Sequence, residues 1–332
     1  MKRIDGLDGI RAIAVTLVVI SHFYAGSSQI RSLHLGHWGV MIFFVLSGFL
    51  VSRILIGNQK GSAGAALKNF IARRALRIFP LYYLAILVFS QIGRGFGSEF
   101  IYHITYTTNF HIVNNSGFLA PHFWSLAVEE QFYLLLPLIL LFTPPQSYRK
   151  TTLVAFLIGV FFRAYYHIED FGTYDRLLWS NLDALGLGIM LALFEKQQLR
   201  QTHCIALAIT PLVLSLVLKS TFLLAHNLIL ALTVLTIFQL NKKQDSFFVT
   251  ILEFKPIKYL GTISYGIYVW HFLFWQNKTL FMPLKEILVQ LHPIMAFGHG
   301  YVIVIAIITL LASVVSYELF EKRILKLKRF FT

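Results

Sequence analysis

Long apolar stretches separated by short polar gaps dominate the pattern along the chain. A helix needs about 20 largely apolar residues to cross a bilayer, and ten stretches approach that length. The pattern therefore predicts an all-α, polytopic membrane protein with about ten transmembrane helices. The predicted segments are Ile10–Tyr24, Leu35–Ser52, Ile78–Gly93, Val128–Phe142, Thr151–His167, Leu177–Phe194, His203–Leu218, Ser220–Leu240, Tyr259–Gln276 and Phe297–Tyr317.

The composition agrees with this prediction. Only 13% of the 332 residues are charged and 57% are apolar, whereas a soluble domain carries about 25% charged residues. The 31 Phe and 15 Tyr exclude a disordered chain, and the single cysteine, Cys204, excludes a disulfide scaffold. No linker rich in Gly, Pro or Ser divides the sequence, so a single membrane domain over residues 1–332 is expected.

Basic residues concentrate on one side of the predicted bilayer. If the N-terminus is cytoplasmic, 21 of the 29 Lys and Arg residues fall in cytoplasmic gaps or at cytoplasmic helix ends, as the positive-inside rule requires. Both termini are therefore predicted to be cytoplasmic. A cleaved signal peptide is the alternative for the N-terminus, because Lys2 and Arg3 precede an apolar stretch. The net charge of +14 lies in short gaps, so nucleic acid is not an expected partner.

Ionisable side chains inside the predicted helices are the candidates for function. A charge within the bilayer is costly, so such a residue marks a functional site or belongs to a structural ion pair. The candidates are Arg11, His22, Glu129, Glu130, Arg163, Asp183, His226 and His271.

Arg11 and His22 lie eleven residues apart on the first predicted helix, which corresponds to about 16 Å along one helical face. The fourth helix runs inward in this topology and places Glu129 at its outer end, at the depth of His22. A carboxylate that orients the imidazole would let His22 remove a proton from a hydroxyl. The same pair would also suit a proton relay in a secondary transporter or flippase.

Three arginines occupy the cytoplasmic gap before the third predicted helix. Arg74 and Arg77 are three residues apart and share a helical face, and two guanidinium groups suit a phosphorylated ligand. Ordinary topology-setting charge is the other explanation.

Short motifs follow one another in order along most of the chain, and together they resemble the acyltransferase 3 family of integral membrane O-acyltransferases. They are Leu7–Ala12 (LDGIRA), Phe43–Leu50 (FFVLSGFL), Arg74–Tyr82 (RALRIFPLY), Phe123–Leu134 (FWSLAVEEQFYL), Ser264–His271 (SYGIYVWH) and Tyr317–Glu321 (YELFE).

The resemblance implies transfer of an acyl group, usually acetyl from acetyl-CoA, to a hydroxyl of a carbohydrate or glycolipid acceptor. Such acceptors include lipopolysaccharide O-antigen and exopolysaccharide, and the expected location is the inner (cytoplasmic) membrane of a bacterial cell. The family pattern gives essential roles to residues matching Arg11 and His22, and it singles out Glu129.

Two positions depart from the family pattern. Many relatives carry an arginine two residues before the aspartate that matches Asp183, where this chain has Asn181. Arg176 is the candidate to replace that guanidinium. A proline often follows the final glutamate by two residues, where this chain has Arg323.

These observations predict a site that connects two compartments. The CoA phosphates would bind Arg74 and Arg77, and the pantetheine arm would pass Arg11 and the Ser47-Gly48 stretch. His22 would act as the general base, with Glu129 orienting it. Direct transfer is favoured over an acyl-enzyme on His22 or Ser47, because no nucleophile–base pair is evident around Ser47. No metal is expected, and His226 is interpreted as a satisfied core histidine. The second group of candidates is Tyr133, Asp183, Tyr268 and His271.

Overall fold

The computed structural model describes residues 4–57, 63–91, 96–114, 120–195, 201–242, 246–277, 282–291 and 298–331. Within these ranges the chain forms helices and turns and no strand, which confirms the all-α prediction. Ten helices in the described ranges contain 13 or more residues. They are α1 (Leu7–Phe23), α2 (Leu35–Gly57), α3 (Ala63–Gln91), α4 (Trp124–Phe142), α5 (Tyr148–Ile168), α6 (Leu182–Glu195), α7 (Gln201–Val217), α8 (Thr221–Lys242), α9 (Ser264–Gln276) and α10 (Gly298–Ser316).

Each of the ten predicted segments overlaps one of these helices. Among the described residues, five helical stretches are long and apolar enough to cross a membrane, so the chain is a multi-pass membrane protein. Other helices are shorter, such as α6 with 14 residues and α9 with 13. The number of crossings and the side of each terminus therefore stay predictions. The five stretches are Ser28–Gly57, Pro121–Phe142, Pro145–Ile168, Thr221–Lys242 and Gly300–Phe330.

Several predicted features fall outside the described residues. They are Lys2 and Arg3 of the signal-peptide alternative and two predicted helix ends, Gly93 and Phe297.

Helix α3 differs most from its prediction. It begins at Ala63 rather than at Ile78, so Arg73, Arg74 and Arg77 lie within a continuous helix and not in a gap before one. The sequence between residues 63 and 77 is rich in Ala, Leu, Lys and Arg, which are all good helix formers. A search for apolar stretches misses such a segment because its charges lower the hydropathy.

Helix α2 lies at the centre of the bundle and packs against α1 and α6. At the α2–α6 crossing, a Cβ on Gly48 would lie 2.2 Å from the backbone oxygen of Leu185, and a Cβ on Gly188 would lie 2.2 Å from that of Val45. The small residues therefore bring two backbones together. Gly48 of the predicted Ser47-Gly48 stretch thus contacts α6, and passage of a pantetheine arm along this stretch stays a prediction.

The ends of the helices agree with alternating directions along the chain. Gly36 at the start of α2 lies beside Ser21 near the end of α1, so these two helices are antiparallel. Arg53 near the end of α2 pairs with Glu195 at the end of α6, with Nε 2.8 Å from Oε2. Helices α2 and α6 are therefore parallel. This agrees with the predicted topology, in which both helices run toward the cytoplasm.

The chain continues beyond α10 as a bent helical tail. A π-helical turn spans Tyr317–Glu321, followed by the short helix Lys322–Leu325 and a 3-10 helix over Lys326–Phe330. All three pieces pack against α3. The tail therefore lies beside the helix that carries Arg73, Arg74 and Arg77.

Candidate active site

A cavity of about 90 Å³ lies between α1, α2, α3, α4 and α9. Four predicted donor-binding residues line it, namely Arg11, Ser47, Arg74 and Arg77, and so does Glu129. Tyr133, Ser125, Tyr265 and Tyr268 add hydroxyl groups to its wall. Residues from widely separated parts of the sequence thus share one polar space inside an apolar bundle.

Three guanidinium groups converge on this cavity. Arg11 forms an ion pair with Asp8 on the same helix. The guanidinium carbon of Arg74 lies 4.9 Å from the centroid of the Tyr133 ring. Arg74 and Arg77 both exert electrostatic repulsion on Arg11. Like charges in a partly dry interior repel strongly, so the cavity is suited to an anionic ligand that would relieve this repulsion.

Glu129 forms the centre of a short hydrogen-bonded chain. The Ser47 hydroxyl donates to Oε1 of Glu129 at 2.5 Å, and the Tyr133 hydroxyl donates to Oγ of Ser47 at 3.0 Å. Glu129 is also attracted by Arg74 and Arg77. This arrangement contradicts the sequence-based view that Ser47 has no base beside it.

The expected contact between His22 and Glu129 is not formed, and that prediction was wrong. Nδ1 of His22 lies 3.0 Å from the backbone oxygen of Val18 and 3.2 Å from Nε2 of His271, while Glu129 bonds to Ser47. The partner beside the imidazole is therefore His271.

The start of α4 explains this difference. The helix begins at Trp124, four residues before its predicted start at Val128. Glu129 therefore lies in the second turn, about 8 Å along the axis from Trp124, and deeper in the bundle than expected. His122, just before α4, occupies the level of His271, and the centroids of their rings are 5.1 Å apart.

Two hydroxyl groups connect the cavity to these histidines. Ser125 and Tyr268 line the cavity, and their hydroxyl oxygens lie 2.5 Å apart. The Tyr268 hydroxyl donates to the backbone oxygen of His122 at 2.6 Å. Nδ1 of His271 donates to the backbone oxygen of Tyr268 at 2.7 Å. The hydroxyl contacts thus link the cavity wall to the backbone of His122, whose ring lies beside His271, and His271 in turn contacts His22.

Glu130 faces a different space from Glu129, because neighbouring residues on a helix point in different directions. It lines a mainly apolar cavity of about 200 Å³ between α3, α4 and the segment around Tyr106. Its Oε1 is buried without a hydrogen-bond partner. Arg74 and Tyr133 line both cavities and so form the wall between them.

A second group of polar residues, here called the Asp183 cluster, comprises the buried Arg163, Asn181, Asp183 and His226 and the partly buried His37. Nε of Arg163 donates to Oδ2 of Asp183 at 3.1 Å, and its Nη2 donates to Oδ1 of Asn181 at 2.9 Å. Nε2 of His226 lies 2.9 Å from Oδ2 of Asp183, and Nδ1 of His226 lies 3.1 Å from Nε2 of His37. None of these residues lines the 90 Å³ cavity.

With this geometry established, comparison with known proteins identifies the group to which the chain belongs. A family model described as an acyltransferase domain matches residues 4–318. The chain belongs to the acyltransferase 3 family.

The chain is similar to several bacterial members of this family. It is 28% identical over 309 residues to O-acetyltransferase OatA of Staphylococcus aureus strain NCTC 8325 / PS 47, covering 82% of this chain and 50% of the relative. It is 27% identical over 326 residues to peptidoglycan O-acetyltransferase OatA of Listeria monocytogenes, covering 86% and 51%. The match to putative peptidoglycan O-acetyltransferase YrhL of Bacillus subtilis is 27% identical over 365 residues, covering 97% and 55%.

The chain thus spans about half the length of the curated relatives it matches. No solved structure matches it.

The departure from the acyltransferase 3 pattern at Asn181 has a structural explanation. The guanidinium that pairs with Asp183 comes from Arg163 on α5 and also binds Asn181. The expectation that Arg176 supplies this group was wrong. Arg323, the second residue that departs from the family pattern, is exposed on the tail.

Sequence reasoning missed Ser125 and His122, which connect the cavity to His271. Their position in the sequence could have drawn attention to both residues, because Ser125 lies within the FWSLAVEEQFYL motif of this acyltransferase family and His122 immediately precedes it. A histidine outside an apolar stretch carries no membrane-charge signal, so its proximity to His271 required the structure. Of the second group of candidates, Tyr133 and Tyr268 line the cavity, His271 contacts His22, and Asp183 lies in its own cluster.

Proposed function

We propose that this chain transfers an acetyl group from cytoplasmic acetyl-CoA to a hydroxyl of a cell-surface glycan, with His22 as the general base. The observation that carries the proposal is one cavity lined by Arg11, Arg74 and Arg77, whose wall residue Tyr268 also contacts His271, the partner of His22. Peptidoglycan is added to O-antigen and exopolysaccharide as an acceptor to assay, because the names of two relatives specify it.

The arginines fit the donor. CoA carries a diphosphate and a 3′-phosphate, and planar guanidinium groups bind phosphate oxygens in pairs. Within the described residues, Arg74 and Arg77 form no ion pair with a carboxylate, so their donors are available to a ligand. Ser47 and Glu129 line the route beyond them, where polar groups are suited to the amides of a pantetheine arm.

The contacts of His22 fit the role of a base. Nδ1 of His271 donates to a carbonyl oxygen, which leaves Nε2 of His271 as an acceptor. Nδ1 of His22 faces that acceptor and the Val18 carbonyl, so the proton of His22 belongs on Nδ1. Nε2 of His22 is then unprotonated and able to accept a proton from a substrate hydroxyl.

The reaction is balanced with these groups alone. The acceptor oxygen attacks the thioester carbonyl, its proton moves to Nε2 of His22, the carbon–sulfur bond breaks, and the CoA thiolate takes up a proton from the imidazolium. Positioned base catalysis contributes about 10²–10⁴-fold in rate.

An acyl-enzyme on Ser47 is a second route that a specific observation favours. The Ser47 hydroxyl donates to Glu129 at 2.5 Å, which is the nucleophile–base contact that such a route needs. Treatment with labelled acetyl-CoA and no acceptor separates the routes. Label retained on wild-type protein and absent from Ser47→Ala supports acylation of Ser47, whereas no retained label supports direct transfer.

The test of the function is transfer of labelled acetyl from acetyl-CoA to isolated glycans by the purified, membrane-reconstituted chain. We expect label in the wild-type product, loss of that label with His22→Ala, and equal amounts of both proteins in the membrane. Normal transfer by His22→Ala would refute the assignment. Solute uptake driven by a gradient, without acetyl transfer, would instead identify the transporter or flippase alternative.

A further inference from the structure

The tail beyond α10 brings a further cation to the arginine helix. Its 3-10 helix, Lys326–Phe330, packs against α3. Lys328 is half-buried, while its neighbours Lys326 and Arg329 are exposed. This segment lies past residue 318, where the match to the acyltransferase domain ends, so the family motifs do not include it.

Lys328 lies in a strongly positive environment. The cations that act on its ammonium group are Arg77, Arg74 and Arg73, all on the helix against which its own segment packs. Two carboxylates act on the same arginines, Glu321 on Arg77 and Glu129 on Arg74 and Arg77. Half-burying a lysine beside three like charges is unfavourable without an anion.

The cations form a sequence from the protein surface into the cavity. Arg73 is exposed and Lys328 half-buried, and neither lines the cavity, whereas Arg74, Arg77 and Arg11 do. In CoA the pantetheine arm leaves from the diphosphate, and the 3′-phosphate lies on the ribose at the other end. The cavity arginines therefore suit the diphosphate, and the outer pair suits the 3′-phosphate.

We infer that Lys328, with Arg73, binds the 3′-phosphate of the acyl-CoA donor at the mouth of the cavity. The inference rests on the proposed function, because it takes acetyl-CoA as the donor. It makes the tail a part of the donor site, and it gives the enzyme a means to distinguish CoA from donors that lack the 3′-phosphate.

The test compares Michaelis constants for acetyl-CoA and for 3′-dephospho-acetyl-CoA. Losing one charge-assisted contact with phosphate raises a dissociation constant by about tenfold or more. We expect Lys328→Gln to raise the Michaelis constant for acetyl-CoA by about tenfold at unchanged turnover, and to leave that for the dephospho donor unchanged. Lys328→Arg should retain wild-type behaviour. The matched control, Lys326→Gln, removes an exposed charge from the same turn and should change neither constant.

An equal effect of Lys328→Gln on both donors, or no effect on either, would overturn the inference. Anionic lipid is the other source of phosphate, so the assay is run in nanodiscs of phosphatidylcholine with and without phosphatidylglycerol. An effect of Lys328→Gln that needs phosphatidylglycerol would assign the lysine to lipid and also overturn the inference.

Failure of the proposed function gives a different result. The wild-type chain would then transfer acetyl from neither donor. Calorimetric binding of CoA and 3′-dephospho-CoA would still test Lys328. If Lys328 contacts the 3′-phosphate, the wild-type protein binds CoA more tightly than 3′-dephospho-CoA, and Lys328→Gln binds the two compounds equally. Equal binding of both compounds by the wild-type protein would contradict the contact.

Discussion

The residues around the 90 Å³ cavity and those of the Asp183 cluster are both ionisable groups buried among apolar helices, yet their contacts differ. In the Asp183 cluster, both oxygens of Asp183 and both ring nitrogens of His226 bond to groups nearby. In the cavity, Arg74 and Arg77 have no carboxylate partner in the described chain and face an open space. Burial of charge is common to both, but among the described residues only the first region places arginines without a carboxylate partner beside a cavity of about 90 Å³.

This difference gives the two regions different expected roles. Arg163 has one buried nitrogen, Nη1, without a hydrogen-bond partner among the residues that the structure describes, and the adjoining cavity of about 10 Å³ has room for about one water. The Asp183 cluster therefore has room for solvent and not for a substrate. Its contacts join α2, α5, α6 and α8, while the cavity is the proposed ligand site.

The largest expected effect compares one carboxylate from each region. Asp183→Ala leaves Arg163 buried without its partner, which costs about 3–5 kcal/mol, and we expect a large fall in the thermal unfolding temperature in detergent. Glu129→Gln keeps the size and a hydrogen-bonding group, so we expect a small change in unfolding temperature with a strong loss of acetyl transfer.

The reverse result, in which Asp183→Ala stays stable and inactive while Glu129→Gln unfolds, would exchange the roles of the two regions. Parallel measurement of unfolding and transfer on the same preparations makes the distinction.

The next largest effect concerns two histidines with equal burial. His271→Ala removes one of the two acceptors that face Nδ1 of His22 and so loosens the orientation of the imidazole, and we expect turnover to fall by up to about 100-fold at an unchanged Michaelis constant for acetyl-CoA. We also expect the pH profile of turnover to shift. His226→Ala belongs to the Asp183 cluster and should lower stability and leave the pH profile of the remaining active protein unchanged. A pH profile that moves only in His226→Ala would contradict the assignment of His271.

A smaller effect is expected from the cavity arginines. Arg77→Ala removes a charged contact with phosphate and should raise the Michaelis constant for acetyl-CoA by about tenfold, with that for the acceptor unchanged. Arg77→Lys keeps the charge and loses the planar fork, so its constant should lie between those of wild type and Arg77→Ala. A change confined to the acceptor constant would place the donor elsewhere.

Much of this picture could be predicted from the sequence. Apolar stretches located helices that the structure contains, charge within them selected Arg11 and Glu129, and the three-residue spacing in a predicted gap selected Arg74 and Arg77; all four line one cavity. Arg11 and Glu129 are expensive to place in a bilayer, so each carries a signal that the sequence preserves.

The remaining features depended on helix boundaries and on partners distant in sequence. Helix α4 begins four residues early, which moved Glu129 away from His22, and such a shift has no hydropathy signal. The pairing of Asp183 with Arg163 instead of Arg176 depended on how α5 packs on α6. Lys328 looked like ordinary topology-setting charge until the tail was seen to pack against α3.

The central claim is that the CoA phosphates bind at the cytoplasmic side of the membrane while His22 lies toward the opposite side, and cysteine accessibility tests it most directly. The single natural cysteine, Cys204, is first replaced by serine, and His22→Cys and Lys328→Cys are made separately in that background. A membrane-impermeant maleimide applied to intact cells should label position 22, and it should label position 328 only in inverted vesicles. Labelling of both positions from the same side would contradict the claim.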